Sequence, residues 1–170
     1  MADNIILIGF MGVGKGRTAR ALAALTGRFA VDTDDLIESM VKMKIRDIFA
    51  AQGEAQFRQL ECRCADWLER QVSGTVVSAG GGFFKVGNLR RLGQVIYLHS
   101  DLDGILEAMR SHPNAAQKMK KRPLLQDLAK AEALFNERLP QYREAADMEI
   151  AVQGRGNADI AAEIAARLRA

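Results

Sequence analysis

The run NIILIG at positions 4–9 constrains the fold more than any other feature of the chain. Ile5, Ile6, Leu7 and Ile8 leave it without a polar face, so a strand built from it must be covered on both sides. Glycines and a lysine follow at once in GFMGVGKGRT (9–18), and RTARALAALTG (17–27) then spaces its apolar residues as a helix does, with Gly27 as a stop signal. A buried strand, a glycine loop and a helix in direct succession begin a parallel α/β sheet.

The rest of the chain repeats the alternation. RFAVD (28–32), TVVSAG (75–80), QVIYLHS (94–100) and MEIAVQ (148–153) are the further strand candidates. Helical patterns lie between them: DDLIESMV, then IRDIFAAQGEAQFRQLECRCADWLERQ with a break near Gly53, then DLDGILEAMRS. LAKAEALFNERLPQYREAA is also helical, with Pro140 marking a kink or restart, and NADIAAEIAARLRA closes the chain. HPNAAQKMKKRPLLQD (112–127) is basic and interrupted by proline, and reads as a loop with short turns. The expectation is an α/β fold: a five-stranded parallel sheet flanked by helices, one domain over 1–170. No repeat or linker divides it. Ligands of such sheets bind beyond the carboxyl ends of the strands, where the glycine loop, DTDD (32–35) and GGG (80–82) all fall.

Composition narrows the function. Charged residues make up 26% and the net charge is only +3, which suits small anionic ligands and does not call for nucleic acid. No apolar run approaches a membrane span, and the first residues lack a cleavage site, so a cytoplasmic protein is expected. Cys62 and Cys64 stand two apart in a helical pattern and point to different faces. They read as two reduced thiols, and with only His99 and His112 beside them no metal cluster is indicated.

Gly9, Gly12, Gly14 and Lys15 meet the spacing of a phosphate-binding loop, Gly-x-x-x-x-Gly-Lys-[Ser/Thr], in the strand-to-helix context it needs. Glycines let backbone N–H groups turn toward a phosphate, and the helix N-terminus adds partial positive charge. A strand-to-helix turn without a ligand would look alike in glycine content, but not in carrying the lysine. The eighth position departs: it is Gly16, where a hydroxyl would ligate magnesium. A further water could fill that position, because magnesium keeps several waters. Thr18 points to another helix face and is no obvious substitute. Arg17 either offsets charge on a nucleotide or points to solvent, and position alone favours solvent.

Asp32 and Asp34, read as part of an extended segment, face the same way and flank the loop. One would hold magnesium through water and the other would orient or deprotonate a substrate hydroxyl. Helix capping competes for these residues, and Asp35 is the expected cap. Arg58 and Glu61 share a helix face, an arrangement an ordinary surface pair would also show. Two converging arginines, Arg58 and Arg138, would grip a carboxylate in bidentate fashion. KMKKRPLL (118–125) is either a solvated charge run or a lid that brings a cation over a phosphate.

Taken together, GFMGVGK, DTDDLIE, IRDIFAAQGEAQFRQLE, SAGGG, KRPLL and LFNERLPQYREAAD resemble the shikimate kinase family over nearly the whole chain. The resemblance implies a P-loop kinase architecture with a mobile lid at about 112–125. It implies transfer of the γ-phosphate of ATP to the 3-hydroxyl of shikimate, with Mg²⁺, in aromatic amino-acid synthesis. By position, Gly12, Val13, Gly14, Lys15, Gly16, Arg17 and Thr18 form the nucleotide-binding stretch, with Arg110 against adenine and Arg122 as the lid arginine. Lys15, Asp34 and Arg122 become the catalytic set, and Asp32 the carboxylate near magnesium. Phe49, Phe57, Arg58, Gly80, Gly81, Gly82 and Arg138, with Asp34, form the shikimate pocket. Phe83 and Phe84 replace smaller residues of the family, and Ala79 a threonine. A monomer is expected. Two rival readings follow from the same residues: a paralogue that binds shikimate or nucleotide without turnover, and a kinase for another small hydroxy acid such as gluconate.

Overall fold

The alternation of side chains along β1 (Ile5–Ile8) divides the core in two. The computed structural model describes residues 3–169. Ile6 and Ile8 join one apolar cluster and Ile5 and Leu7 the other, and none of the four exceeds 4% exposure. Each such aliphatic side chain, fully buried, contributes about 1.5–3 kcal/mol. The strand therefore anchors both faces of the sheet at once.

Four more strands complete it: β2 (Ala30–Asp32), β3 (Val76–Ser78), β4 (Gln94–His99) and β5 (Met148–Ala151). Their order is β2-β3-β1-β4-β5, every neighbouring pair is parallel, and Ile6 pairs with Val77 on one side and Val95 on the other. The five-stranded parallel sheet flanked by helices is the architecture that the apolar runs predict. α1 (Lys15–Thr26) and α8 (Asn157–Arg169) cover the Ile5/Leu7 face. The other face is covered by α2 (Thr33–Val41), α3 (Ile45–Gln71), α4 (Leu89–Leu92), α5 (Leu102–Arg110) and α7 (Leu128–Ala145). After β1 the chain crosses toward β2, whereas after β3 it crosses toward β4. The crevice beyond these two strand ends is the topological switch point, where such sheets hold ligands.

Three local expectations need correction. Asp32, not Asp35, caps α2: its Oδ1 accepts from the amides of Asp34 (2.9 Å) and Asp35 (3.3 Å). The helix begins at Thr33, so Asp32 and Asp34 do not share an extended segment. α7 runs through Pro140, so of the kink or restart expected there the restart does not occur. Proline has no N–H to give the carbonyl four residues earlier, which belongs to Asn136, an exposed residue. The 112–127 segment is more ordered than a loop, with α6 (Ala115–Lys120) and a 3-10 turn at Pro123–Gln126. The break in α3 falls at Gly53, as its sequence predicts, with φ 80°.

Both cysteines are free, Cys62 exposed and Cys64 buried, with the Cys64 thiol pushed up to about 12 by burial. One thiol of the two is therefore expected to react with a disulfide reagent in the native protein, and the second only on unfolding. A colorimetric thiol titration with and without denaturant checks this; two equally fast native thiols would contradict it.

Candidate active site

The glycine loop turns where β1 ends, and Gly14, at φ 103°, sets the first turn of α1. A side chain there would be strained, so glycine lets the loop close back on the strand. Lys15 opens the helix and folds over the loop, its Nζ donating to the carbonyls of Gly9 (2.7 Å) and Phe10 (3.1 Å). Burial pulls its ammonium down to about 8, while the carboxylates of Asp34 and Asp32 hold it up. Beside it is a cleft of about 470 Å³, lined by Lys15, Arg17, Arg20, Lys118 and Arg122 against Asp32 and Asp34. The excess of cations fits a polyanionic ligand. Burial lowers the Arg122 guanidinium, and Arg17 nearby lowers it further.

The second half of the site forms around Gly80–Gly82, beyond β3. The Gly80 amide donates to Thr33 Oγ1 (2.9 Å), which brings the start of α2 against the glycines. Asp34 packs there so closely that a Cβ on Gly80 would lie 2.6 Å from Asp34 Oδ1. Burial pushes the Asp34 carboxyl up to about 7, with Asp32 and Glu61 pushing the same way and Lys15 opposing. The Gly81 carbonyl accepts from Arg138 Nη1 (3.1 Å) and from the Tyr142 hydroxyl (2.6 Å), both on α7. Arg58, on α3, is held by Glu54 and Glu61 and leans on Gly82. Among the described residues, three buried side-chain polar atoms have no hydrogen-bond partner: Asp34 Oδ1, Arg138 Nε and Glu61 Oε1. Unpaired buried groups of this kind are costly, and their clustering marks a place built for a ligand.

The structure thus brings Gly12, Gly14, Lys15, Gly16, Arg17, Asp32, Asp34, Gly80, Gly81 and Arg122 to one cleft, with Arg58, Gly82 and Arg138 adjoining it. Arg17 is half-buried rather than turned to solvent. With Gly12 and Val13 it also lines a second cavity of about 210 Å³, bordered by Ser100, Gly104 and Gln153. Phe57 is buried and Phe49 38% exposed, their rings 4.9 Å apart beside Arg58. Two residues expected to bind the nucleotide are not brought to either cavity. Thr18 is 1% exposed on the face of α1 turned into the protein. Arg110 ends α5 in an exposed position. Two residues that the sequence does not single out belong to the site's framework. Tyr142 stands one helical turn beyond Arg138 and shares its face. Ser78, a polar residue ending a buried strand, touches Asp32.

The family model described as shikimate kinase matches residues 11–169. The chain belongs to the shikimate kinase family. A shikimate kinase of Helicobacter hepaticus is 38% identical over 142 residues, covering 84% of this chain and 82% of that protein. One of Symbiobacterium thermophilum is 36% identical over 175 residues, covering 98% and 96%. Among solved structures, a shikimate kinase from Acinetobacter baumannii in complex with shikimate superposes with a TM-score of 0.84 at 31% identity, covering 99% of this chain and 94% of that one. Gly16, at the eighth position of the loop, carries no hydroxyl and lines the cleft beside Lys15 and Arg17.

Gly82 has no room for a side chain: a Cβ would lie 2.6 Å from Arg58 Nη2 and 2.7 Å from its Cζ. Gly82→Ala is expected to push the guanidinium aside and raise the KM for shikimate while leaving that for ATP unchanged. Steady-state kinetics with each substrate varied in turn checks this. An unchanged shikimate KM would mean that Arg58 does not reach the substrate.

Proposed function

We infer that this chain transfers the γ-phosphate of ATP to the 3-hydroxyl of shikimate, in the pathway to aromatic amino acids. The observation that carries the reading is the meeting of two unlike half-sites on one glycine run. A cationic loop cleft lies on one side, and a buried acid with two arginines on the other. Arg58 and Arg138 bind the carboxylate of shikimate, with Phe49 and Phe57 as the apolar wall and Gly80, Gly81 and Gly82 as the floor. Asp34 accepts a hydrogen bond from the attacking hydroxyl through the oxygen that has no protein partner. Gly12, Gly14 and Lys15 hold the phosphates, and the cavity beside Val13 and Arg17 suits the nucleoside end of ATP.

In the reaction the hydroxyl oxygen forms a bond to the γ-phosphorus as the bond to the ADP oxygen breaks, and the hydroxyl proton passes to Asp34. Positioning and charge stabilisation dominate such transfers. Lys15 and Arg122 take up charge on the moving group, and closure of the 112–125 segment excludes water. Among the described residues no cluster of three or more His, Cys, Asp or Glu side chains is disposed to hold a metal. A magnesium ion carried on the nucleotide keeps several waters and needs few protein ligands. The carboxylate of Asp32, on the wall of the cleft, is a hard oxygen donor suited to that ion. Asp32 would hold it through water, and when bound it neutralises charge on the phosphates. The two free thiols support a cytoplasmic protein.

A coupled assay of ADP release tests the reading. Shikimate-dependent, saturable turnover is expected across a Mg²⁺ series, with no comparable turnover on gluconate. The missing hydroxyl at Gly16 favours a second reading, binding without transfer. Calorimetric binding of both ligands with no turnover, even at high Mg²⁺, would establish that reading instead.

A further inference from the structure

Gly16 and Ser78 are 62 positions apart in the chain and neighbours in the fold. A Cβ on Gly16 would lie 3.9 Å from Ser78 Oγ and 3.6 Å from Arg20 Nη1, so the position where a loop hydroxyl would project faces the Ser78 hydroxyl. Ser78 is the last residue of β3, pairs in register with Asp32 of β2, and is 3% exposed. Its Oγ donates to Asp32 Oδ2 at 2.8 Å, while Asp32 Oδ1 is occupied by the capping amides of α2. A serine hydroxyl has one hydrogen and two lone pairs. With the hydrogen given to Asp32, the lone pairs remain as acceptors on the wall of the cleft, which Ser78 lines together with Lys15 and Gly16. Donation to an ionised carboxylate also enriches the oxygen in negative charge, which improves it as a donor to a hard cation. Arg20, the other group facing Gly16, is a cation and cannot serve a divalent ion in that way.

We propose that Ser78 Oγ supplies, from the strand, the hydroxyl oxygen that Gly16 omits from the loop, and with Asp32 forms the protein side of the magnesium–nucleotide site. The hydroxyl has changed its place in the sequence and kept its place in the cleft. This rests on the phosphotransfer reading above and names a metal-binding residue that the reading does not require.

Calorimetry of ADP binding, with and without Mg²⁺, tests the proposal without reference to turnover. Ser78→Ala is expected to cost roughly tenfold or more of the affinity gain that Mg²⁺ confers, as losses around metal sites generally do. ADP binding without metal and shikimate binding should be unchanged, the latter also showing that the fold is intact. Ser78→Cys, which keeps the volume but offers sulfur in place of a hard oxygen, should show the same loss. Gly16→Ser in the Ser78→Ala background should restore the gain. If Ser78→Ala and Ser78→Cys keep the whole gain while the wild type binds ADP and shikimate, the proposal falls and phosphotransfer stands. If the gain is lost but Gly16→Ser does not restore it, Ser78 acts only by orienting Asp32 and the proposal falls. A wild-type protein that binds neither ADP nor shikimate overturns both.

Discussion

Asp34→Asn is expected to lower the shikimate-dependent kcat by roughly 10²–10⁴-fold, the usual contribution of a positioned general base. Asparagine matches the carboxylate in shape and still offers one acceptor, so the KM for shikimate should change far less than kcat. The side chain packs closely over Gly80, where a Cβ would lie 2.6 Å from Oδ1, and asparagine fills the same space. The loss should therefore be chemical rather than a matter of displacement. Stability should move in the opposite sense. A carboxyl raised from 3.8 to about 7 in the folded protein opposes folding once pH passes its unfolded value, and the cost is complete above about 7. Asp34→Asn is therefore expected to melt no lower than the wild type at pH 8, with any advantage vanishing below pH 4. Steady-state kinetics and thermal melts at the two pH values check both halves. A kcat within a few-fold of wild type would remove Asp34 from the role of base.

The two readings of Asp32 and Asp34 show what the sequence can and cannot supply. Their place after a strand and beside a phosphate loop is legible, because strand, loop and helix are consecutive along the chain. Their geometry is not, because it depends on where the helix starts. A start at Thr33 makes Asp32 the cap and turns Asp34 under Gly80. The buried strands are likewise legible from unbroken apolar runs. α6 is not, because none of its residues is buried and no apolar period marks it. Arg58 and Arg138 are visible as candidates only through their neighbours in sequence, and their convergence on Gly81 and Gly82 is a product of packing between α3, α7 and the end of β3. The Gly16–Ser78 pair is less legible still. Nothing local links a glycine in a loop to a serine at a strand end until the parallel pairing of β2 with β3 sets Ser78 opposite Asp32.

Arg138→Leu is expected to raise the KM for shikimate about 100-fold, within the 2–5 kcal/mol that loss of one member of a buried charge pair costs, and to leave the KM for ATP nearly unchanged. Arg138 is 8% exposed, and its Nε has no partner in the protein. Its fork is anchored at one end, by Nη1 on the Gly81 carbonyl, and that carbonyl keeps the Tyr142 hydroxyl when the arginine is removed. The pocket floor should therefore survive the substitution, and the loss should report the missing guanidinium. Arg58→Ala should cost less, because Arg58 is more exposed and divides its charge between Glu54 and Glu61. Arg138→Lys separates charge from shape: lysine keeps the cation but not the planar fork, so its KM should fall between those of wild type and Arg138→Leu. Shikimate calorimetry alongside the kinetics checks that the change is in binding. A fall in kcat at unchanged shikimate affinity would move Arg138 from the carboxylate of the substrate to the transferring phosphate. The paired arginines would then no longer define the acceptor, and the glycine-floored pocket would have to be read from Asp34 alone.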